Sequence, residues 1–387
     1  MDEGVPIKPG VVELLDFLAS RDLPRAVASS AQRATIENHL GKAGLLPRFT
    51  TYAGRDDVAL PKPAPDVYLE AARRLGIRPE RCVAFEDSSI GLAAAHAAGM
   101  QAFIVPDILR PTPEAKAETW RAVVEDLGLE FYTPPERMLD TSGGAPWTRW
   151  CPGAQLNIVH NCLDKWIGTP TGNMVAVRWE GEEGVARTLT YRELWSQANQ
   201  CAHTLQELGV GKGDRVGLFM PMCPELIVTF FATAKIGAVI LPLFSGYGVD
   251  AVATRLRDAE ASLLVATDGF YRRGQVVEMA AVARHTAAAA PSVRHVVIVP
   301  RLGREGDWPA IVARQSERFD TERTGAEDPV MLIYTSGTTG KPKGAVRTHC
   351  GFPIKAAQDI AHCFDLGASD TMYWVSDMGW KIGRAHV

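Results

Sequence analysis

No CxxC pair occurs among the seven cysteines of this 387-residue chain, which removes the usual signature of a zinc ribbon or a dithiol redox centre. The cysteines (82, 151, 162, 201, 223, 350 and 363) sit among apolar neighbours, a pattern that fits reduced, packed thiols in a cytosolic protein. No long apolar run is present either. The longest, Ile236 to Phe244, is too short to span a bilayer. Met1-Asp2-Glu3-Gly4 offers neither the basic start nor the apolar core of a signal peptide. Charge is not polarised: 45 acidic against 41 basic residues give a net charge of −4, and no block of one sign suggests a tail or a nucleic-acid footprint. These absences leave a soluble, cytoplasmic protein of two or three domains acting on small molecules, with no nucleic-acid or membrane partner. They do not fix an oligomeric state.

Two halves of α/β alternation are separated by a change of texture. In the first, helices at 11–20, 31–43, 65–75 and 89–98 alternate with strands at 25–28 and 82–85, and Gly44 and Gly76 stop two of the helices. Residues 107–155 are rich in Pro, Trp, Thr and Gly with one helix expected over 114–127, so a linker is placed there. Alternation resumes from Leu156: strands at 215–219, 238–243 and 263–266, helices at 224–236 and 250–259. The resulting partition is 1–106, linker 107–155, and 156–381. Ile382 to Val387 read like one frame of a common sequencing adapter, and the expectation is a fragment whose natural sequence departs near Trp380 or Lys381.

The densest chemistry lies in Tyr334-Thr335-Ser336-Gly337-Thr338-Thr339-Gly340-Lys341-Pro342-Lys343-Gly344, after the strand-like Val330 to Ile333. Glycines let backbone N–H groups approach an anion, hydroxyls add donors and lysines add charge, as a polyphosphate requires. It is not a Walker loop, since Gly340-Lys341 is followed by Pro342 rather than Ser or Thr. The plainer alternative is a flexible glycine-rich turn.

In the first half, Ser29-Ser30, Lys62 and Glu86-Asp87 stand where strands should end. Beyond the carboxyl ends of a parallel sheet such side chains can converge, with Ser and Lys on phosphoryl oxygens and carboxylates on Mg²⁺. Taken singly, Ser29 or Asp87 could cap a helix and Lys62 could be solvated.

Wording adds to patterning. Ala26-Val27-Ala28-Ser29-Ser30, Pro61-Lys62-Pro63-Ala64-Pro65-Asp66-Val67-Tyr68 and Phe85-Glu86-Asp87-Ser88-Ser89-Ile90-Gly91 resemble, in order, the β-phosphoglucomutase-like branch of the haloacid dehalogenase superfamily over residues 5–106. The resemblance implies a partial Rossmann-like core in which Ser29 binds a phosphoryl group, Lys62 neutralises it, and Glu86 and Asp87 hold Mg²⁺, with a phosphorylated metabolite as substrate. The family's Asp-x-Asp-Gly nucleophile has no counterpart: no strand precedes Asp2-Glu3-Gly4 and no helical cap follows it. Covalent phosphoryl transfer is therefore not expected of this half as written.

From Trp150 to Trp380 the chain is similar to acetyl- and propionyl-CoA-synthetase-like AMP-forming ligases of the adenylate-forming superfamily. The matches are Leu156 to Asp164, Thr188-Leu189-Thr190-Tyr191-Arg192-Glu193-Leu194, Pro221 to Glu225, Ala234-Lys235-Ile236-Gly237-Ala238, the glycine-rich run, and Ser376-Asp377-Met378-Gly379-Trp380. The resemblance implies the N-terminal part of an α/β adenylate-forming domain using ATP and CoA on a short-chain carboxylate. By it, Thr335, Ser336, Gly337, Thr338, Thr339 and Gly340 wrap the β/γ-phosphates with Lys343 supplying charge, and Trp380 borders the acyl pocket. Phe244, Gly246 and Arg272 meet the nucleotide end of CoA. Ser245 and Gln275 stand where a glycine and a second arginine are expected. Two further readings stay open: phosphatase or phosphomutase chemistry as the main activity, or a first half that is a non-catalytic regulatory module.

Overall fold

The computed structural model describes residues 7, 10–105, 113–144, 147–306, 308–335, 343–364, 366–373 and 377–378. It divides into two compact units, Met1–Asp126 and Leu127–Val387. The boundary falls inside the segment expected to be a linker.

In the first unit, α1 (Val11–Ser20), β1 (Ala26–Ala28), α2 (Arg33–Lys42), β2 (Thr51–Ala53), α3 (Asp66–Leu75), β3 (Val83–Glu86), α4 (Ser89–Ala97), β4 (Gln101–Ile104) and α5 (Pro113–Asp126) follow one another. Positive φ at Gly44 (68°) and Gly76 (70°) stops the chain just past α2 and α3, as a left-handed C-terminal cap requires. The sheet is in two pieces. Among the described residues β1 pairs only with β2 and β3 only with β4, each pair parallel. A core of small residues, among them Ala53, Ala71, Ala84, Ala95 and Ala102, lets α3 and α4 lie close on these strands. Parallel strands ordinarily sit covered on both faces, yet Val83 and Phe85 of β3 are 52% and 57% exposed.

The second unit opens with the ribbon β5 (Leu139–Asp140) and β6 (Arg149–Trp150), then α6 (Ile158–Cys162), the hairpin β7 (Val175–Glu180) and β8 (Ala186–Thr190), and α7 (Tyr191–Glu207). Then come β9 (Arg215–Phe219), α8 (Pro224–Lys235), β10 (Val239–Pro242), α9 (Val249–Asp258), β11 (Leu263–Thr267), the hairpin β12 (Gly269–Arg272) and β13 (Gln275–Glu278), α10 (Ala280–Ala288) and β14 (His295–Val299). Short α11 (Trp308–Val312), β15 (Pro329–Thr335), β16 (Lys343–Thr348) and α12 (Gly351–Gln358) complete the order. Six strands form one sheet, β14-β11-β9-β10-β15-β16, parallel except for the antiparallel edge strand β16.

Alternation along these strands makes two cores. Val216, Leu218, Ile240, Leu263 and Val265 face Leu205, Leu226 and Ala232 of α7 and α8. Phe219, Leu241, Leu264 and Ala266 face Val252, Leu256 and Ala283 of α9 and α10. Both faces are thus apolar, and the strands read as continuous hydrophobic runs. No helix among the described residues is long and apolar enough to cross a membrane. The described cysteines are free thiols, and burial pushes Cys162 up to about 11 and Cys223 up to about 12.

Several runs that carry the family likeness are structural joints. In Thr190-Tyr191-Arg192-Glu193, the Thr190 hydroxyl accepts from the Glu193 amide at 3.2 Å and the Thr190 amide donates to Glu193 Oε2 at 2.8 Å. This is a capping box that starts α7. Asn157 caps α6 and also donates to the Ala234 and Glu322 carbonyls at 2.8 and 3.0 Å. Lys235, 1% exposed, places its ammonium 2.6 Å from Asp164 Oδ1, which also accepts from Trp195 Nε1 at 2.9 Å, while Thr321 Oγ1 donates to Oδ2 at 2.6 Å. At Gly237 (φ 71°) the left-handed backbone favours glycine, and a Cβ would press 3.0 Å from Glu322 Cγ and 3.1 Å from Lys212 Cγ.

Truncating Asp164 to Ala strands the buried ammonium, and is expected to destabilise the second unit by about 3–5 kcal/mol. The double variant Asp164→Leu/Lys235→Met should recover most of that loss. Urea unfolding of the three proteins tests this, and a loss below about 1 kcal/mol for Asp164→Ala would show that the pair is dispensable.

Candidate functional site

In the first unit Lys62 meets the ends of β1 and β3. Lys62 Nζ donates to the Ala28 carbonyl at the end of β1 and to Tyr68 Oη, both at 3.1 Å, and lies 2.5 Å from Glu86 Oε1 at the end of β3. The Lys62 and Glu86 side chains are each 9% exposed. Ser29 follows β1, and its hydroxyl accepts from the Ala31 amide at 3.1 Å. Tyr68 also donates to Glu86 Oε1, and burial, then this carboxylate, hold its phenol well above the usual range. The other Glu86 oxygen accepts from Ser88 Oγ at 3.2 Å, and Ser88 in turn caps α4 through the Gly91 amide. Gly91 is required here, since a Cβ would sit 1.9 Å from Glu86 Oε2.

Glu86, expected to hold Mg²⁺ with Asp87, has both oxygens committed to Lys62, Tyr68 and Ser88. Asp87 is exposed, and no group of three metal-binding side chains occurs among the described residues. Mg²⁺ keeps several waters and is usually held by one or two carboxylates together with substrate phosphate oxygens. Glu86 thus holds Lys62, with Asp87 exposed beside it.

In the second unit, Thr335 and Lys343 are opposed partners in the β15–β16 ladder, so the glycine-rich run closes between the last residue of one strand and the first of the next. Ser336, Gly337, Thr338, Thr339 and Gly340 lie outside the described residues, as does Trp380. The stem is firmly built. Tyr334 donates to Asp258 of α9, and burial, then this carboxylate, raise its pKa. The Arg255 guanidinium sits 4.3 Å from the Tyr247 ring centroid and 5.9 Å from that of Tyr334. A Cβ at Gly344 would lie 2.9 Å from Leu332 Cδ1, so the glycine after Lys343 serves the packing of the stem. Lys343 itself is exposed.

β10 and β15 are parallel neighbours, so Phe244 and Gly246, beyond the end of β10, and the glycine-rich run, beyond β15, leave the same edge of the sheet. That edge is where open α/β sheets bind ligands. Phe244 packs edge-on against Tyr247, with ring centroids 5.3 Å apart. Ser245, 7% exposed, gives both its amide (3.1 Å) and its hydroxyl (2.6 Å) to Asp377 Oδ2. The residue that departs from the expected glycine therefore ties this turn to Asp377. Arg272 stands on a different element, at the tip of the β12–β13 hairpin.

Three contributors had no role assigned from sequence: Tyr68, Asp258 and His349. Tyr68 lay inside a quoted run, whereas nothing near Asp258 signals its use. His349 ends the β16 return. It is wholly buried; Nδ1 accepts from the Ile158 amide at 3.1 Å and Nε2 has no hydrogen-bond partner. Burial lowers its pKa to about 4, with Asp328 opposing and Lys212 reinforcing the shift.

Residues 1–99 match the family model for haloacid dehalogenase-like hydrolases, 113–162 that for the acetyl-coenzyme A synthetase N-terminus, and 164–387, more than half the chain, that for AMP-binding enzymes. Acetyl-coenzyme A synthetase of Streptomyces avermitilis is 37% identical over 268 residues, covering 67% of this chain and 41% of its own length. That of Deinococcus radiodurans is 37% identical over 276 residues, covering 69% and 42%. The solved acetoacetyl-CoA synthetase from Streptomyces lividans superposes with a TM-score of 0.64 at 29% identity, over 69% of this chain and 42% of its own. The chain thus spans less than half the length of these relatives.

Because the folded pKa of His349 is depressed, its neutral form stabilises the fold fully above pH 6.5 and that contribution falls away as pH drops toward 4. Between pH 7 and pH 5 the loss should be about 2 kcal/mol. His349→Asn keeps an acceptor for Ile158 without titrating, so its unfolding free energy should fall by that much less over the same interval. Parallel pH dependence in the two proteins would mean that His349 does not titrate with unfolding.

Proposed function

The chain belongs to the AMP-binding enzyme family, and we propose on that premise that it derives from an AMP-forming acyl-CoA synthetase acting on short-chain carboxylic acids. In that reaction a carboxylate oxygen displaces pyrophosphate from the α-phosphorus of ATP. The acyl group then passes from AMP to the thiol sulfur of CoA, and the thiol proton is lost. Negative charge gathers on phosphoryl oxygens, so the protein's task is to place donors and positive charge.

The observation that carries this reading is the β15–β16 stem. Its two strands fix Thr335 opposite Lys343, and Tyr334 ties it to α9, so the seven residues between them start and end at defined points beside the Phe244–Gly246 turn. Thr335 to Gly340 would wrap the β/γ-phosphates and Lys343 would supply charge. Phe244, Gly246 and Arg272 would receive CoA. Asp377, held by Ser245, would orient the segment that carries Trp380 to the acyl chain, and a tryptophan there favours acetate and propionate.

For the first unit, the committed Lys62–Glu86–Tyr68 cluster favours a phosphoryl-binding module over a phosphatase in its own right. Ser29 and Lys62 remain its anion ligands, and no step is assigned to a metal. Its site and the ligase site draw on separate residues, so Lys62→Ala should leave acid activation nearly intact.

The test is ATP–pyrophosphate exchange across straight-chain acids from acetate to hexanoate. Exchange should favour acetate and propionate and be lost in Lys343→Ala. Trp380→Gly should shift preference toward butyrate and hexanoate by roughly tenfold, since a methylene in such a pocket is worth about 1–3 kcal/mol. No exchange with any acid would overturn the ligase reading, and an unchanged chain-length profile would overturn the role of Trp380.

A further inference from the structure

Helix α9 carries Arg255 and Asp258 three positions apart, on one face, and both reach the strand that leads into the glycine-rich run. Asp258 accepts from the Tyr334 hydroxyl, and the Arg255 guanidinium lies 5.9 Å from the Tyr334 ring centroid. The same guanidinium lies 4.3 Å from the Tyr247 ring centroid, and its Nη2 donates to Tyr247 Oη at 3.3 Å. Tyr247 closes the turn that begins at Phe244. Its amide donates to the Phe244 carbonyl at 3.0 Å, and the two rings meet edge-on. Arg255 thus stands between the two features that leave this edge of the sheet.

What meets its charge is unusual. Arg255 is 8% exposed, yet no carboxylate lies within ion-pair distance of it among the described residues. Nη1 donates to the Ala251 carbonyl at 2.7 Å, and Nε has no hydrogen-bond partner. A buried guanidinium is ordinarily paired with an acid. Here the acid three residues on is given to Tyr334 instead. Packing alone would be served as well by a methionine, without the cost of desolvating a charge. What the guanidinium has in place of an acid is two tyrosine rings, which attract a planar cation.

We propose that Arg255 is a positioning residue that locks the Phe244–Tyr247 turn to the start of the glycine-rich run, so that a ligand seated on one sets the other. That the ligands are nucleotide and CoA rests on the ligase reading of these two features; the lock between the two tyrosines does not. Tyr334 immediately precedes Thr335, so the place of its ring fixes the point from which the run departs. Tyr247 immediately follows Gly246 and fixes the turn in the same way. One buried side chain then orders two loops together, which lowers the cost of ordering each of them when a ligand arrives.

Fluorine NMR of the whole chain labelled with 3-fluorotyrosine reads both rings, with the resonances assigned through Tyr247→Phe and Tyr334→Phe. In an otherwise wild-type chain, Tyr247→Leu should shift the Tyr334 resonance; added to Arg255→Met, the same change should leave that resonance where it is. ATP should shift the Tyr247 resonance in wild type and not in Arg255→Met. Arg255→Lys keeps the charge but not the planar face, and should behave as Arg255→Met does. The urea midpoint of Arg255→Met should be unchanged or higher, because an apolar side chain replaces an unpaired buried charge. A Tyr334 resonance that ignores Tyr247→Leu in wild type, or follows it equally in Arg255→Met, would overturn the lock. A lowered urea midpoint with both couplings intact would also overturn it, and would make Arg255 a packing residue. ATP that moves neither ring, while the coupling of Tyr247 to Tyr334 still depends on Arg255, would uphold the lock and overturn the nucleotide reading of the run.

Discussion

A buried ammonium sets the terms for the second unit. Lys235 ends α8 with 1% of its surface exposed, and burial alone lowers its pKa. Such a charge is tolerated only where a counter-charge and further hydrogen bonds meet it. Asp164 supplies the charge, and Trp195 and Thr321 complete the bonding of Asp164. The pair therefore joins four parts of the chain that are far apart in sequence. Asn157 and His349 extend the same joint, the first to the carbonyls of 234 and 322 and the second from the return of β16 to the Ile158 amide. The segment before α6, the end of α8, the strand lead at 321–324 and the hairpin that carries the glycine-rich run are thus one polar frame around an apolar sheet. Because the frame closes on the β16 return, its geometry sets where Thr335 and Lys343 begin and end the run between them.

The first unit follows a different logic. Its three runs meet at the strand ends, but through a salt bridge that consumes them: Lys62 and Glu86 neutralise each other and Tyr68 and Ser88 take what remains. Two parallel pairs of strands, joined at their carboxyl ends by Lys62, leave edges unpaired among the described residues and Phe85 exposed. An anion arriving near Ser29 would compete with Glu86 for Lys62, which is the natural use of a lysine held in reserve by an internal carboxylate.

Much of this was legible in the residues. Apolar runs long enough for buried strands located β9, β10 and β11 to within a residue or two, because a parallel sheet covered on both faces needs such runs. Gly44 and Gly76 marked helix ends because left-handed φ there suits glycine. The hairpins β7–β8 and β12–β13 were not anticipated. Their strands are short and partly exposed, and their pairing depends on contacts such as Glu182 with Gly274 that join residues over ninety positions apart. Wording also carried more than it first disclosed. Thr190 and Glu193 marked a family likeness and prove to be a capping box, and Lys235 and Asp164, quoted in separate runs, prove to be partners. Glu86 shows the converse: its place beside Asp87 suggested a metal ligand, and only its folded neighbours reveal that it also meets Lys62, Tyr68 and Ser88.

The claim on which the rest depends is that the polar frame and the stem of the glycine-rich hairpin form one cooperative unit. Native-state hydrogen exchange of the whole chain measures it directly. The amides of 158–163, 233–237 and 330–334 should share one opening free energy, and Asp164→Ala should lower all three together, as expected of residues that unfold as a single block. A stem that keeps its protection in Asp164→Ala while 158–163 loses it would contradict the account, because the hairpin would then stand without the frame.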